Sequence, residues 1–174
     1  FMQERLFTPL GMKDTTFWPN AEQVARLAKS YRPNKAKDNL VEFGLGQLIS
    51  PLTDRCNRFP MPAGGLFSTA TDTAIFCQML LKGGEFGGKR FLSEAAMKEL
   101  THRQTPDLVK NSYSLGFAVG SDWFGHGGAH ATNMEIHSGK DLVIIWMVQH
   151  GGYPGDGNKA QGVFKNWAYQ KYGK

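Results

Sequence analysis

Few of the features that disclose a function at sight are present in this chain. It has two cysteines in 174 residues, Cys56 and Cys77, and neither stands at a metal-ligand spacing. A disulfide-stapled scaffold or a zinc ribbon is therefore not indicated. Cys77 falls within an apolar helical pattern and reads as a small core residue. No apolar run approaches the ~20 residues that a membrane-spanning helix needs. Lysine and arginine are scattered, with no basic tract, so the formal charge of +5 accounts for solubility better than for nucleic-acid binding. There is no internal repeat, no low-complexity segment and no G-x-S-x-G, which leaves an α/β-hydrolase without its nucleophile elbow.

What is present is globular. The chain is 41% hydrophobic and 20% charged, and one domain of this length buries roughly 70% of its unfolded surface. Phe1–Phe7 reads as the end of an amphipathic helix that begins upstream, so the chain is expected to be part of a longer polypeptide. Pro9 and Gly11 predict a stop at Thr8–Gly11. Residues 12–60 read as mostly irregular, with a short helix at Ala21–Lys29 capped by Asn20 and an exposed polar stretch over Tyr31–Glu42. Thr69 and Asp72 have capping-box spacing, with Asp in place of the usual Glu, ahead of a helix from Ala70 to Lys82. Its apolar face is Ala74, Cys77, Leu80 and Leu81. A second capped helix starts at Ser93. Tyr113–Val119 reads as a strand. Asn133–His137, the turn residues Ser138–Asp141 and the apolar run Leu142–Val148 form a hairpin. A last helix, Lys159–Tyr172, is expected to lie across the sheet on Val163, Phe164, Trp167 and Tyr172.

Two phosphate-loop look-alikes fail. Gly83–Lys89 fits G-x-x-x-x-G-K, but Arg90 stands where a P-loop needs Ser or Thr, and a helix precedes it rather than a strand. Gly155–Ala160 fits G-x-G-x-x-A, but the chain stops at Lys174 without the second strand and acidic residue of a Rossmann unit. His126 and His130 are four apart, a helical metal-ligand spacing, but Gly127-Gly128-Ala129 between them hold a helix poorly. The stretch Gly125-His126-Gly127-Gly128 opens the hairpin. Two adjacent glycines in a strand point to close approach of another molecule to the backbone. From the tripeptide alone a turn with glycines at positive φ has the better claim.

Three segments taken together resemble a family. Phe7-Thr8-Pro9-Leu10-Gly11-Met12-Lys13-Asp14-Thr15, Pro62-Ala63-Gly64-Gly65-Leu66-Phe67-Ser68-Thr69-Ala70-Thr71-Asp72 and Gly125-His126-Gly127-Gly128 are similar, in that order, to segments of serine β-lactamase-like hydrolases. These include class C β-lactamases, D-alanyl-D-alanine carboxypeptidases, D-aminopeptidases and esterases. The resemblance implies an α+β fold, an antiparallel sheet flanked by helices, of which residues 1–174 would be the C-terminal part. Residues 1–110 would be mainly helices and loops, and 111–174 the sheet strands and the last helix. It implies that His126, Gly127 and Gly128 occupy the place of a Lys-Thr-Gly strand, that His126 orients substrate, and that the Ala129 N–H is one of two oxyanion donors. Gly128 would face the substrate groove. The resemblance implies no metal and no organic cofactor.

The departures are as informative. No Ser-x-x-Lys and no Tyr-x-Asn or Tyr-x-Ser occurs in the chain, so nucleophile and general base are expected upstream. The expected partners are that N-terminal part of the same protein and a small-molecule or peptide substrate. Alone, the chain should be inactive and should present an exposed sheet edge or apolar face. His-Gly-Gly in place of Lys-Thr-Gly favours an ester or amide substrate over a dedicated β-lactamase, since it lacks the lysine that grips a β-lactam carboxylate. A non-catalytic ligand-binding module is the alternative, and a zinc site at His126 and His130 a third reading. Family habit places such proteins in the periplasm or at the cell surface.

Overall fold

The computed structural model describes residues 1–44 and 51–174, so part of the stretch expected to be irregular lies outside the described residues. The chain opens with a widened π turn, Gln3–Phe7, continued by α1 (Thr8–Leu10). Thr8 is helical (φ −62°, ψ −49°) although Pro9 follows it. A π bulge is one way in which a helix absorbs the ladder break that proline imposes. Gly11 ends the helix at φ 75°. α2 (Ala21–Ala25) is shorter than expected, and Asn20 and Gln23 cap it reciprocally. β1 (Ser30–Pro33) and β2 (Leu40–Phe43) form an antiparallel hairpin where the sequence predicts a polar loop. Its residues are mostly exposed, so no polar–apolar alternation marks it as strand.

α3 (Ala70–Leu81) starts at Thr69, whose Oγ1 accepts the Asp72 N–H at 3.1 Å. A short ribbon, β3 (Glu85–Phe86) and β4 (Lys89–Arg90), leads to α4 (Glu94–Thr101), capped by Ser93. The glycine pairs at 83–84 and 87–88 turn this ribbon, all at positive φ, which accounts for the P-loop look-alike. β5 (Ala118–Val119), β6 (Trp123–Gly127), β7 (Asn133–His137) and β8 (Leu142–Trp146) then make a four-stranded antiparallel meander in chain order. Of the strand expected over Tyr113–Val119, two residues are in the sheet and Tyr113 bridges back to Ala118. α5 (Ala160–Tyr172) closes the chain.

Register assigns the two faces. Met134 opposes Ile145, and Ile136 opposes both Val143 and Phe124. That face packs on α3, where the Cys77 sulfur lies 3.7 Å from that of Met134. Cys77, Met79, Leu80 and Ile136 are at most 2% exposed, and full burial of each large side chain contributes about 1.5–3 kcal/mol. Phe7, Leu10 and Met12 reach the same core from the first turn of the chain.

The opposite face carries Glu135, His137, Ile144 and Trp146, and α5 covers it. Lys165 pairs with Glu135, the Tyr169 hydroxyl meets the His137 ring, and Phe164 packs on Trp146 with centroids 5.3 Å apart. The buried side of α5 is thus Phe164, Lys165, Ala168 and Tyr169. Of the expected face, Val163, Trp167 and Tyr172 are exposed. A sheet face that presents a half-buried carboxylate and a buried imidazole recruits the polar–aromatic side of the helix, because those groups need partners more than the helix needs its greasiest stripe hidden. The result is an α+β layering of helix, antiparallel sheet and helix. Among the described residues β8 has β7 as its only strand partner.

Candidate active site

β6 loses its side chains as it runs: Trp123, Phe124, Gly125, His126, Gly127, and then Gly128. At Gly125 packing is the cause. A Cβ there would lie 2.3 Å from the Met134 carbonyl oxygen and 3.0 Å from the Glu135 Cα. At Gly127 there is room, with nothing nearer than 3.7 Å. At Gly128 a Cβ would come 2.2 Å from Thr132 Oγ1. A larger side chain at Gly128 therefore points into the turn of residues 128–132, not into a substrate groove as the sequence predicts. Neither Gly127 nor Gly128 has positive φ; Ala131, at 62°, makes the turn.

The main chain here has an open side. The Gly128 N–H bonds the Thr132 carbonyl at 2.8 Å, and its carbonyl accepts the Ala131 N–H at 3.0 Å, so the polar groups of Gly128 face β7. Successive residues of an extended strand direct these groups to opposite sides, which aims those of Gly127, the last residue of β6, away from β7, while Ala129 already belongs to the turn that follows. On that side β5 covers β6 only as far as the Ala118–Gly125 pair. Beyond it the edge is open. Ala129 is exposed, and among the described residues no acceptor takes its N–H. Such an edge can bind an extended ligand by strand addition, or an oxyanion at a single N–H.

A cavity of about 460 Å³ borders this edge. Gly128, Ala129 and His130 line one side, and Pro62, Ala63 and Gly64 another, so the second and third sequence segments converge. His126 and Gly127 do not line it. His126 is exposed, paired across the sheet with Met134 and edge-on to Tyr113 at 5.9 Å. His130 stacks instead on Phe43, with centroids 5.6 Å apart and planes 16° from parallel. The two histidines that the metal reading would join thus have different neighbours. Among the described residues no group of three or more His, Cys, Asp or Glu is arranged to hold a metal.

The first segment frames the cavity through a residue that the sequence reading takes for a cap. Asp72 is buried, and its Oδ2 accepts the Asp14 N–H and the Thr15 hydroxyl, each at 2.8 Å. Thr15 Oγ1 also lies 2.8 Å from Ser68 Oγ, and Thr16 bridges Phe67. Only half of the expected capping box forms: the Thr69 side chain caps the helix, while the Asp72 carboxylate ties the Asp14-Thr15 segment to Ser68-Thr69. The signal in the sequence was the Asp at the Glu position. At the rim Arg26 binds Asp14 at 2.6 Å, and this bond, with one from Gln23, holds the Asp14 carboxyl below its usual range. Burial pushes the Cys77 thiol up to about 12, which disqualifies it as a nucleophile. Cys56 is exposed, and the two are not bonded to each other.

Comparison with known proteins agrees with this architecture. The family model described as Beta-lactamase matches residues 1–163. Protein Rv1367c of Mycobacterium tuberculosis (strain H37Rv) is 30% identical over 175 residues, covering 86% of this chain and 42% of that protein. A putative D-alanyl-D-alanine carboxypeptidase of Salmonella paratyphi B is 23% identical over 128 residues, 68% of this chain and 29% of that protein. Among solved structures, unliganded simvastatin synthase (LovD) of Aspergillus terreus superposes with a TM-score of 0.78 at 17% identity, covering 98% of this chain and 50% of that one. The chain thus spans half or less of the length of these proteins. No helix among the described residues is long and apolar enough to cross a membrane.

Proposed function

This chain belongs to the β-lactamase family, and from that premise we propose that it forms one wall of a serine acyl-transfer site whose nucleophile lies on another part of the polypeptide. The observation that carries the proposal is the edge of β6 beyond the Ala118–Gly125 pair, followed by the exposed Ala129 at the cavity, whose N–H no acceptor takes among the described residues. In this reading a serine in a Ser-x-x-Lys segment attacks the carbonyl carbon of an ester or amide. The Ala129 N–H, with a second donor, holds the oxyanion that forms; the alcohol or amine leaves, and water releases the acyl group. Gly127, where a side chain would stand in open space, leaves the strand bare enough for an extended substrate to lie against it. His126 stands where a lysine is usual and meets the far end of the substrate, outside the cavity. The segment carrying Ser-x-x-Lys and Tyr-x-Asn would pair with the edge of β8 that has no strand partner among the described residues, and cover the exposed Val163, Trp167 and Tyr172 of α5. The relative described as a putative D-alanyl-D-alanine carboxypeptidase supports an acyl substrate.

A fluorophosphonate probe applied to the full-length polypeptide, followed by intact-mass and peptide mass spectrometry, tests this reading. One adduct on a serine outside residues 1–174 is the expected result. An adduct on a serine within these residues would refute it, and ligand binding without any adduct would make the chain part of a non-catalytic binding module.

A further inference from the structure

Large apolar side chains left to water inside a concave surface mark a place where a ligand supplies the missing contacts. Two such side chains line the cavity beside Ala129: Leu66 is 39% exposed and Met147 38%. Leu27, Phe67 and Val148, each half-buried, line it with them. These residues come from three separate parts of the chain, the turn after α2, the segment before α3 and the stretch after β8. The tertiary fold, not a local pattern, gathers them.

The wall they form is tied down. The Leu27 N–H bonds the Val24 carbonyl at 3.1 Å. Phe67 exchanges two main-chain bonds with Thr16, at 2.8 and 3.0 Å, and the Arg58 guanidinium lies 5.6 Å from the centre of its ring. Gln149, next to Val148, accepts the Tyr31 N–H at 3.1 Å, which ties the stretch after β8 to the β1–β2 hairpin.

Charge within the cavity is cancelled. Among the described residues Arg26 is the one lysine or arginine that lines it, and Asp14 the one carboxylate. They are paired, Nη2 to Oδ1 at 2.6 Å and Nη1 to Oδ2 at 3.4 Å. A second carboxylate entering here would meet the anion as well as the cation, and would lose its water against apolar side chains. His130 also lines the cavity, with its ring stacked on Phe43.

The oxyanion position sorts the two halves of the substrate. A carbonyl oxygen on the Ala129 N–H leaves one substituent of the carbonyl carbon for the cavity and the other for the bare edge at Gly127. The alcohol or amine must depart and water must take its place, which suits the open edge. The acyl group stays until the second step, which suits the walled side.

We propose that the cavity is the acyl pocket and that it takes an uncharged, apolar acyl chain, held by Leu27, Leu66 and Met147, in preference to a chain that ends in a carboxylate. The inference rests on the acyl-transfer reading and names its substrate class: esters or amides of simple apolar carboxylic acids.

The test is kcat/KM of the full-length polypeptide on p-nitrophenyl acetate, butyrate and hexanoate, and on the p-nitrophenyl monoester of adipic acid, which carries a carboxylate in place of the terminal methyl of the hexanoate. The value should rise about two- to fourfold for each added CH2, the upper figure being full burial. The adipate should be slower than the hexanoate by at least about tenfold. Leu66→Ala and Met147→Ala, both outside the core, should flatten the rise, while Leu108→Ala, 95% exposed and away from the cavity lining, should not. A flat series, an adipate as fast as the hexanoate, or an unaltered rise in both cavity variants would overturn the pocket, and the acyl-transfer reading would still stand if the fluorophosphonate labels its serine. Should that probe label none, the acyl-transfer reading fails, and binding of methyl ketones of increasing chain length, followed by NMR, decides whether the cavity takes an apolar chain. Affinity that rises with chain length upholds this, and affinity independent of chain length overturns it.

Discussion

Asp72→Ala should unfold the joint between the segments that frame the cavity. The Asp72 side chain is 6% exposed, and one of its oxygens accepts both the Asp14 N–H and the Thr15 hydroxyl at 2.8 Å. Thr15 is 2% exposed, so little water can replace what it loses. A hydrogen bond to a charged group contributes about 1.5–3 kcal/mol. Two that share one oxygen are not fully additive, which puts the loss at about 3–5 kcal/mol. In a domain of this size each kcal/mol moves Tm by roughly 2–4 °C, so the variant should melt roughly 6–20 °C lower. Asp72→Asn can present its oxygen in the same place and keep both bonds at neutral strength, and should lose about half as much. Thermal and urea unfolding followed by circular dichroism measure both variants. A loss below about 1 kcal/mol for Asp72→Ala would refute the reasoning, because two buried groups stripped of a charged acceptor cannot be that cheap. Equal losses for the two variants would show that charge, not acceptor position, holds the joint.

Other outcomes follow from single contacts. Gly125→Ala places a Cβ against the Met134 carbonyl and should destabilise by about 1–3 kcal/mol or more, whereas Gly127→Ala, which meets nothing nearer than 3.7 Å, should stay within about 0.5 kcal/mol; urea midpoints separate the two. Arg26 depresses the Asp14 pKa in the folded state, so the stabilisation is complete above the unfolded carboxylate value of about 3.9 and is lost as pH falls through the lower folded value. Urea midpoints of Asp14→Asn should accordingly fall less between pH 5 and pH 3 than those of the parent. A thiol reagent at pH 8 should modify Cys56 in the native protein and Cys77 only after denaturation, since Cys77 is fully buried with its thiol held near 12. Fast labelling of both in the native state would contradict that burial.

Local information was enough for much of the fold. Asn20, Thr69 and Ser93 cap helices where their side chains said they would, because a cap needs only its own next three residues. The strands β7 and β8 and the turn between them follow from alternation and turn chemistry, and three short segments in order were enough to name the family.

What local pattern could not decide was direction. Whether Val163 and Trp167 or Lys165 and Tyr169 face the sheet depends on the Glu135 and His137 that the sheet presents, thirty residues away in the chain. His126 and His130 read alike in sequence, but a strand alternates and a turn does not, so one meets Tyr113 and the other Phe43. The open edge at Gly127 exists because the pairing of β5 with β6 ends at the Ala118–Gly125 pair, a fact of strand pairing that neither strand carries alone. Asp72 looked like half of a cap until the fold brought Asp14 and Thr15 to it. Neighbours along the chain determined the helix caps, α3 and α4 and the β7–β8 hairpin; tertiary structure alone decided the β1–β2 hairpin and which faces and polar groups met, since that follows from what each element found opposite it.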